Sequence, residues 1–340
     1  MVVKERHEPK GIQAIDSALK NKYKERVPLV FAPMVTLNGG GEDPLEMISV
    51  FERDDPTPHW HFVTYGFSDL YEKKVKNTPI SGYGFELTFR VKKNKGEEEP
   101  PSWVISFLQD LARHVFTTGS RFDNGFYLST NKKINFSKKT QLNTMMFTYD
   151  PELKPINTPN GIVVFLQVVG ITEDEKIAML SWNSSKFLDT LLKKIPLFIT
   201  DIERKSVLSD TGIKTIIEKG ISADGSSTET LLITSLAWRE EKKRFGKKMY
   251  EIDIPTRNFI ELSSLIQWRL GKGRELTLIG PKQRVLLSMR DQSSVYVNDF
   301  ELKILLDINT IKEVVERLGT AREQKELTIM KTLKFNLLDL

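Results

Sequence analysis

Residues 162–169 read IVVFLQVV, an almost unbroken apolar run whose single polar residue is Gln167. The run is far shorter than the roughly 20 residues that cross a bilayer, and it is typical of a strand buried on both faces of a sheet. Helices must then cover both faces, and the capping-box pattern Thr172-x-x-Glu175 opens one directly after the strand. The sequence therefore predicts an α/β (α+β) fold in which mixed sheets are covered by helices.

Other strands and helices alternate along the chain. Amphipathic spacing predicts helices over Pro9–Tyr23 and Ser102–Phe116. In the second helix one stripe is predicted to face the core, formed by Trp103, Phe107, Leu111 and His114. Runs rich in aromatic and β-branched residues predict further strands, among them His59–Phe67, Phe85–Val91, Leu197–Asp201 and Thr230–Ala237.

The length of 340 residues predicts about two domains. The boundary is expected within residues 209–228, because residues 220–227 read GISADGSS, a polar segment typical of a connector. Residues 1–208 then form the first domain, and residues 229–340 form the second. No internal repeat interrupts this division.

The chain contains no cysteine, which excludes disulfides, thiolate metal ligands and cysteine nucleophiles. This composition fits a reducing cytoplasm. The first residues, MVVKERHEPKGIQ, lack the apolar stretch of a signal peptide, and no apolar run is long enough to span a membrane. We therefore expect a soluble, cytoplasmic protein that does not associate with membranes.

The net charge of +5 is unevenly distributed. Residues 239–290 carry thirteen Lys and Arg against six Asp and Glu, a net of +7, and the densest run lies at 242–248 around Gly246. A basic run on a turn is most often a solvated loop, but it is also typical of a surface that binds nucleic acid or an acidic partner. Both interpretations stay open from the sequence.

His59-Trp60-His61 is the one pattern that suggests a metal site. Residues two apart in a strand point to the same face, so both imidazoles could meet one ion. A third ligand would have to come from His114, His7 or a carboxylate, and no spacing supplies it. Packing and hydrogen bonding on a sheet face is the favoured interpretation, so we predict no metal.

Catalytic patterns are also missing from the sequence. It has no Gly-x-Ser-x-Gly elbow, and the glycines at 39–41 lead into Glu42-Asp43 rather than the Lys-Ser/Thr of a phosphate-binding loop. Asp69, Glu86 and Asp150 could form an acid–base pair only if the fold brought them together. We therefore predict a protein without cofactor and without enzymatic activity.

Several short and uncommon sequence motifs follow one another along the chain. HWHFVTYGFSDLYEK, at 59–73, is followed by SGYGFELTFRV, PPSWVISFLQDLARHVF, TPNGIVVFLQVVGIT, FITD and EKGISADGSS, with weaker matches at LAW (236–238) and RLGKGRELT (269–277). In this order they resemble the Suppressor of fused family, over about residues 39–289. The resemblance implies a compact member with two domains.

The resemblance also implies a non-catalytic function, in which the two domains close on a linear segment of a partner protein that adds as a strand between them. The positions that match the family's groove in the first domain are His114, Phe122, Phe126 and Tyr149. In the second domain they are Leu232 and Thr234, on the strand before Ala237-Trp238, with Arg269 and Arg274. Phe122, Phe126 and Leu232 are of residue types found more often in a core than at an interface.

Phe126 and Tyr149 stand where the resemblance implies acidic residues, so we expect a bound segment that is more apolar or acidic than the ligand of animal members. An immunity or antitoxin protein of a bacterial toxin system is the first functional hypothesis. A cytoplasmic regulator that sequesters a transcription factor is the second, and a nucleic-acid-binding protein that uses residues 239–290 is the third. Enzymatic activity is the least favoured.

Overall fold

A computed structural model describes residues 9–37, 40–72, 78–129, 140–242, 248–320 and 325–339. The chain divides into two compact units. The first comprises Met1–Glu173 and Leu191–Ser206, and the second comprises Asp174–Thr190 and Val207–Leu340. This division differs from the predicted domains in two respects, since residues 174–190 group with the second unit, and so do residues 207–228, which include the predicted connector.

The first unit is built on one large sheet. Its strands are β1 (Leu29–Phe31), β2 (Met47–Arg53), β3 (His59–Tyr65), β4 (Ile80–Lys92), β5 (Tyr127–Ser129), β6 (Leu142–Tyr149), β7 (Ile156–Thr158) and β8 (Gly161–Thr172). They follow the order β1-β2-β3-β4-β8-β6-β5, and β7 pairs with β8 off this path. Helices α1 (Lys10–Tyr23) and α2 (Ser102–Thr118) belong to the same unit.

β8 contains the apolar run that defined the predicted fold. It lies between β4, to which it is parallel, and β6, to which it is antiparallel, with Phe89 opposite Val168 and Val168 opposite Phe147. Its residues from 165 to 172 are all buried. A strand with neighbours on both edges and cores on both faces has no contact with water, which explains its composition. The mixed α/β fold class is confirmed.

Each face of this sheet has its own apolar core. α2 packs on one face, with Val104, Leu108 and Val115 fully buried against the side chains around Phe62 and Phe89. α1 packs on the other face, where Ile15 and Leu19 meet Val63, Tyr65 and Phe165. The predicted stripe on α2 was wrong by one position. Of the four predicted residues, only Leu111 is buried. The other three are half-buried: Trp103, Phe107 and His114.

The second unit contains two smaller sheets. Strands β10 (Ala237–Lys242), β11 (Lys248–Pro255), β17 (Leu333–Leu338) and β16 (Glu326–Ile329) form the first in that order. β14 (Ser294–Asn298), β15 (Glu301–Leu306), β13 (Arg284–Met289), β12 (Leu276–Ile279) and β9 (Thr230–Leu232) form the second. The helices are α3 (Glu173–Ser181), α4 (Ser184–Lys194), α5 (Thr211–Asp224), α6 (Thr256–Trp268) and α7 (Ile308–Thr320), with α3 and α4 in the segment where the chain passes between the units.

The predicted connector at 209–228 is largely helical. Asp210 caps α5 by accepting hydrogen bonds from the backbone N–H groups of Gly212 and Ile213. Gly220 lies inside this helix, and a Cβ at that position would stand 2.2 Å from the ring of Trp182. Glycine is therefore needed here for close packing rather than for a turn.

Two predicted strands differ from the structure. Residues 196–198 form a short 3₁₀ helix, and Leu197 adopts a left-handed conformation, so Leu197–Asp201 is not a strand. Thr230–Ala237 is interrupted after Leu232, and Thr234 lies in a turn. In the described residues, no helix is long and apolar enough to cross a membrane.

Candidate partner-binding surfaces

An aromatic cluster forms where β5 and β6 meet in the first unit. Phe122 lies at its centre, with ring centroids 4.3 Å from Phe147, 5.2 Å from Phe126 and 6.4 Å from His114. The sequence brings these rings together because Phe126 precedes β5, Phe147 belongs to β6, and His114 is on α2. The predicted set His114, Phe122 and Phe126 is therefore one physical cluster.

The members of this cluster differ in exposure. Phe122 is 4% exposed and belongs to the core, where it supports Phe126, and its contact with a partner stays a prediction. Its burial follows from packing between Phe147 and Phe85, which surround it with apolar surface. Phe126 is half-buried on the same core, and Tyr149, at the end of β6, is 51% exposed. Of these, Phe126 and Tyr149 offer ring surface to another molecule.

β9 is the terminal strand of the five-stranded sheet in the second unit. It pairs with β12, and within the described residues no strand pairs with its outer edge. Hydrogen bonds join Glu229 O to Thr277 N and Ile233 N to Ile279 O. Because backbone groups alternate in direction along a strand, those of residues 229, 231 and 233 face β12, while those of Thr230 and Leu232 face outward.

Side chains on this edge are accessible as well. Leu232 is 61% exposed and Thr230 is exposed, whereas Leu231 between them is buried. Thr234 was predicted to continue the strand, but it lies in the following turn, where it is exposed but has no place in the ladder. The edge available for strand addition is therefore Thr230–Leu232.

Arg269 is a buried residue that contacts the backbone. It is 7% exposed, its Nε donates to the carbonyl oxygen of Glu275, and its Nη1 donates to that of Ser226 at 3.4 Å. A carboxylate oxygen of Glu229 lies 3.7 Å from its Nη2. These contacts fasten the segment that leads into β9, so Arg269 positions the edge strand, and its contact with a partner stays a prediction. Arg274 is exposed and donates to the same Ser226 oxygen at 3.0 Å.

The basic stretch at 239–290 carries less free charge than its composition suggests. Arg239 bridges Glu251 and Asp253, Lys248 pairs with Glu240 at 3.1 Å, and Arg290 pairs with Glu275 at 3.2 Å. Lys272 donates to a backbone carbonyl, as Arg269 and Arg274 do. The densest part of the run, 243–247, lies outside the described residues. These pairings occupy most of the described cations of the stretch, and Lys282 and Arg284 are among the exposed exceptions.

His59 and His61 of the His-Trp-His motif are buried in β3 of the large sheet. Nδ1 of His59 contacts the carbonyl oxygen of Thr57 at 2.7 Å, and Nδ1 of His61 is hydrogen-bonded to the hydroxyl of Tyr23. Burial lowers the pKa of His61 to about 4, with a further contribution from the charge of Arg90. Among the residues that the structure describes, no group of three His, Asp or Glu side chains is placed to hold a metal ion.

A buried ion cluster surrounds His61 and was not predicted. Arg90 donates to both carboxylate oxygens of Asp150, at 2.6 and 3.1 Å, and also to Glu152 and Gln167. Burial by itself would raise the pKa of Asp150, but the Arg90 charge and the contact with His61 hold that pKa well below its usual range. A partial signal existed in the sequence, since Gln167 is the single polar residue of the apolar run at 162–169.

Comparison with known proteins places these surfaces in a family. Residues 41–205 match the family described as Suppressor of fused protein (SUFU). The human Suppressor of fused homolog is 35% identical over 236 residues, which are 64% of this chain and 48% of the human protein. Residues 41–205 therefore belong to the Suppressor of fused family. The chain spans about half the length of this curated relative.

Solved structures agree with this assignment. The crystal structure of Drosophila Suppressor of Fused superposes with a TM-score of 0.74 at 22% identity, covering 98% of each chain, which shows a shared fold. A chain of the Sufu-Fu complex superposes with a TM-score of 0.58 at 28% identity, covering 63% of this chain and 98% of its own length. Suppressor of fused is a family of binding and regulatory proteins.

Two sequence motifs that resemble Suppressor of fused are joined by hydrogen bonds to Glu86. Its buried carboxylate accepts five hydrogen bonds, from the hydroxyl of Thr64, from the N–H groups of Gly66, Phe67 and Ser68, and from the hydroxyl of Ser68. Burial raises the pKa of Glu86 to about 7, and these donors oppose the rise. Glu86, in the motif SGYGFELTFRV, therefore holds Thr64 and the loop 66–68, in the motif HWHFVTYGFSDLYEK, by hydrogen bonds. We call this set of hydrogen bonds the Glu86 clamp.

The carboxylates considered for acid–base chemistry serve three separate structures. Glu86 holds the loop 66–68, Asp150 holds Arg90, and Asp69 accepts a hydrogen bond from the N–H of Gly82. Gly82 has a φ of +58°, and a Cβ there would lie 2.6 Å from the carbonyl oxygen of Phe67, so only glycine fits this close approach. Each carboxylate thus has a structural partner of its own.

Proposed function

We propose that this chain binds an extended segment of a partner protein, which adds as a strand to the outer edge of β9. The outward-facing backbone groups of Thr230 and Leu232 carry the proposal, because an extended peptide satisfies them with ladder hydrogen bonds. The exposed side chain of Leu232 adds an apolar contact. Arg269 supports the site by holding the segment before β9 in one conformation.

The same proposal gives the aromatic cluster of the first unit a role. Tyr149 and Phe126 would contact further side chains of the bound segment, so that both units grip one partner. Aromatic residues are frequent energetic centres of interfaces, because they bury a large area at little entropic cost. The accessible rings carry no charge, which favours a bound segment with apolar side chains at these positions.

Membership of the Suppressor of fused family supports a binding role, and a solved member is described as part of a Sufu-Fu complex. Sequestration of a regulatory protein follows from this likeness more directly than neutralisation of a toxin. The immunity role stays a prediction, and a secreted toxin gene beside this gene would favour it. Cytoplasmic location is part of the same proposal.

A proline substitution separates strand addition from other modes of binding. Thr230→Pro removes one outward N–H group at the first residue of β9, where proline is tolerated because this N–H does not pair with β12. We expect proteins that co-purify with the wild-type chain from its native cell to be lost with this variant. Tyr296→Ala, on the opposite edge strand of the same sheet, is the matched control and should retain them.

Retention of the same partner by Thr230→Pro, with an unchanged circular dichroism spectrum, would contradict strand addition at β9. Loss of the partner by both variants would indicate a different surface of this sheet. Thermal unfolding of each variant shows whether loss of binding reflects loss of the fold.

A further inference from the structure

One end of the five-stranded sheet presents a row of side chains to solvent. Pairing registers place five residues side by side across the strands: Leu232, Ile279, Arg284, Glu301 and Asn298. The next row faces the core, with Leu231, Leu278, Val285 and Leu302 each fully buried. Since side chains in one row share a face, the first row forms a continuous accessible strip that starts at Leu232.

A cavity of about 640 Å³ lies at the far part of this strip, between two turns. The β12–β13 turn contributes Pro281 and Lys282, and the β14–β15 turn contributes Asp299 and Phe300. Phe300 is 83% exposed, which is unusual for a ring of this size. Its position at the tip of a hairpin makes it available to another molecule without any rearrangement.

Two cationic side chains of this cavity form no ion pair or hydrogen bond with another side chain among the described residues. Lys282 and Arg284 are exposed, and neither has a side-chain partner within the described part of the chain. Arg290 is exposed to a similar degree but is bound to Glu275. Of the two carboxylates that line the cavity, Glu301 has Lys303 at 3.7 Å. Lys282 and Arg284 balance Asp299 and Glu301 in number, and Lys303 beside Glu301 adds one further positive charge.

We propose that this cavity binds an acidic segment of a partner protein that carries a carboxylate next to an apolar side chain. The guanidinium of Arg284 can hold a carboxylate through two parallel hydrogen bonds, Lys282 adds a second positive charge, and Phe300 with Pro281 contacts the apolar side chain. The site goes beyond the proposed strand addition and does not depend on it.

Nucleic acid fits this surface less well than an acidic peptide does. A phosphate backbone carries regularly spaced negative charges and would meet Asp299 and Glu301 on the same rim. Single-strand binding proteins use several stacked aromatic rings along a basic groove, whereas this cavity has one ring and two free cations. A short segment with one or two carboxylates matches the charge that is present.

Titration followed by NMR tests the proposal on the full chain. The probe is the blocked peptide Ac-Asp-Leu-Asp-Leu-NH₂, and the controls are its isostere Ac-Asn-Leu-Asn-Leu-NH₂ and a thymidine oligonucleotide. We expect saturable shifts of the backbone amides at 280–284 and 298–301 with the acidic peptide. Arg284→Ala and Phe300→Ala should each lower its affinity about fivefold to tenfold, while Arg290→Ala should leave it unchanged.

Three outcomes would overturn the proposal. The first is no shift at these amides at 10 mM acidic peptide, taken as roughly the weakest binding of interest. The second is equal shifts with the asparagine peptide, which would show that charge plays no part. The third is tighter binding of the oligonucleotide at the same amides, which would assign the cavity to nucleic acid. Both Arg284 and Phe300 are exposed, so their substitution leaves the core intact.

Discussion

The rings of Phe122 and Phe126 stack with centroids 5.2 Å apart and planes 21° apart, although one ring is buried and the other is half-buried. Phe126 is therefore held in place from beneath by a core residue. An accessible aromatic side chain that is fixed before binding loses little conformational entropy when a partner arrives. This relationship separates a supporting residue from a contacting residue within one cluster.

Alanine substitution should distinguish these two roles. Phe122→Ala removes a buried ring and should lower the free energy of unfolding by about 3–5 kcal/mol. Phe126→Ala should lower it by less, about 1 kcal/mol, because the ring is only partly buried, and should instead weaken binding of the partner. Denaturant unfolding of both variants measures the difference. Equal losses of unfolding free energy would show that Phe126 contributes to the core as much as Phe122 does.

Arg269 and Arg274 provide a second contrast. Arg269→Ala leaves the carbonyl oxygens of Ser226 and Glu275 without its donors in a buried site, which should cost about 2–3 kcal/mol of unfolding free energy. Arg274→Ala should cost less than about 1 kcal/mol, since its guanidinium is exposed and makes one of these contacts. Thermal unfolding checks both. A larger loss for Arg274→Ala would contradict the supporting role given to Arg269.

The sequence predicts those features that depend on local pattern. The apolar run of β8 and the amphipathic spacing of α2 are local patterns, so both elements were predicted, although the buried stripe of α2 lies one position away from the predicted one. Arg269 shows what a local pattern cannot provide, because its burial depends on the segment 226–229 folding back over it. Leu197–Asp201 has the composition of a strand, yet its backbone turns at Leu197 and forms no continuous ladder.

The site residues show the same limit. Resemblance to the family selected Leu232 and Phe126, which are accessible, together with Phe122 and Arg269, which are not. Resemblance alone cannot separate the accessible residues from the buried ones, because burial depends on the packing of segments that are distant in the sequence. Edge status of β9 depends on the order of strands in the sheet, and that order is a tertiary property.

The Glu86 clamp makes a third test possible. Glu86→Gln keeps the shape of the side chain but replaces one acceptor oxygen with a donor group. At least one of the backbone donors at Gly66, Phe67 and Ser68 then loses its acceptor, so we expect a loss of about 1–3 kcal/mol in unfolding free energy. Denaturant unfolding provides the measurement. Unchanged stability would mean that the carboxylate is not the acceptor on which the loop depends.

His61 should make the protein sensitive to acid. Its pKa in the folded state, about 4, lies below its ordinary value of 6.5, so between these values the unfolded chain takes up a proton that the folded chain does not. The His61 contribution to stability should therefore fall by about 3 kcal/mol as the pH decreases from 6.5 to 4, if the whole shift is realised. Burial also lowers the pKa of His59, which adds to this contribution. Glu86 acts in the opposite direction, because burial raises its pKa from 4.5 to about 7 and the folded chain takes up a proton between these values that the unfolded chain does not.

Unfolding free energies measured across this pH range test the assignment to His61. The variant His61→Gln should be less stable at neutral pH and should lose the His61 contribution, so its stability should fall less steeply than that of the wild type as the pH decreases from 6.5 to 4. An unchanged slope in His61→Gln would place the acid sensitivity elsewhere.

Site-specific photo-cross-linking tests the central claim most directly. A photoreactive phenylalanine analogue is placed at position 232, at position 149, and at position 216, where Ile216 is 47% exposed on α5. After irradiation in the native cell, the cross-linked peptides are sequenced by mass spectrometry. The account predicts that positions 232 and 149 cross-link to one short segment of the same protein, while position 216 does not. Cross-links from 232 and 149 to unrelated proteins, or to none while position 216 captures a partner, would contradict it.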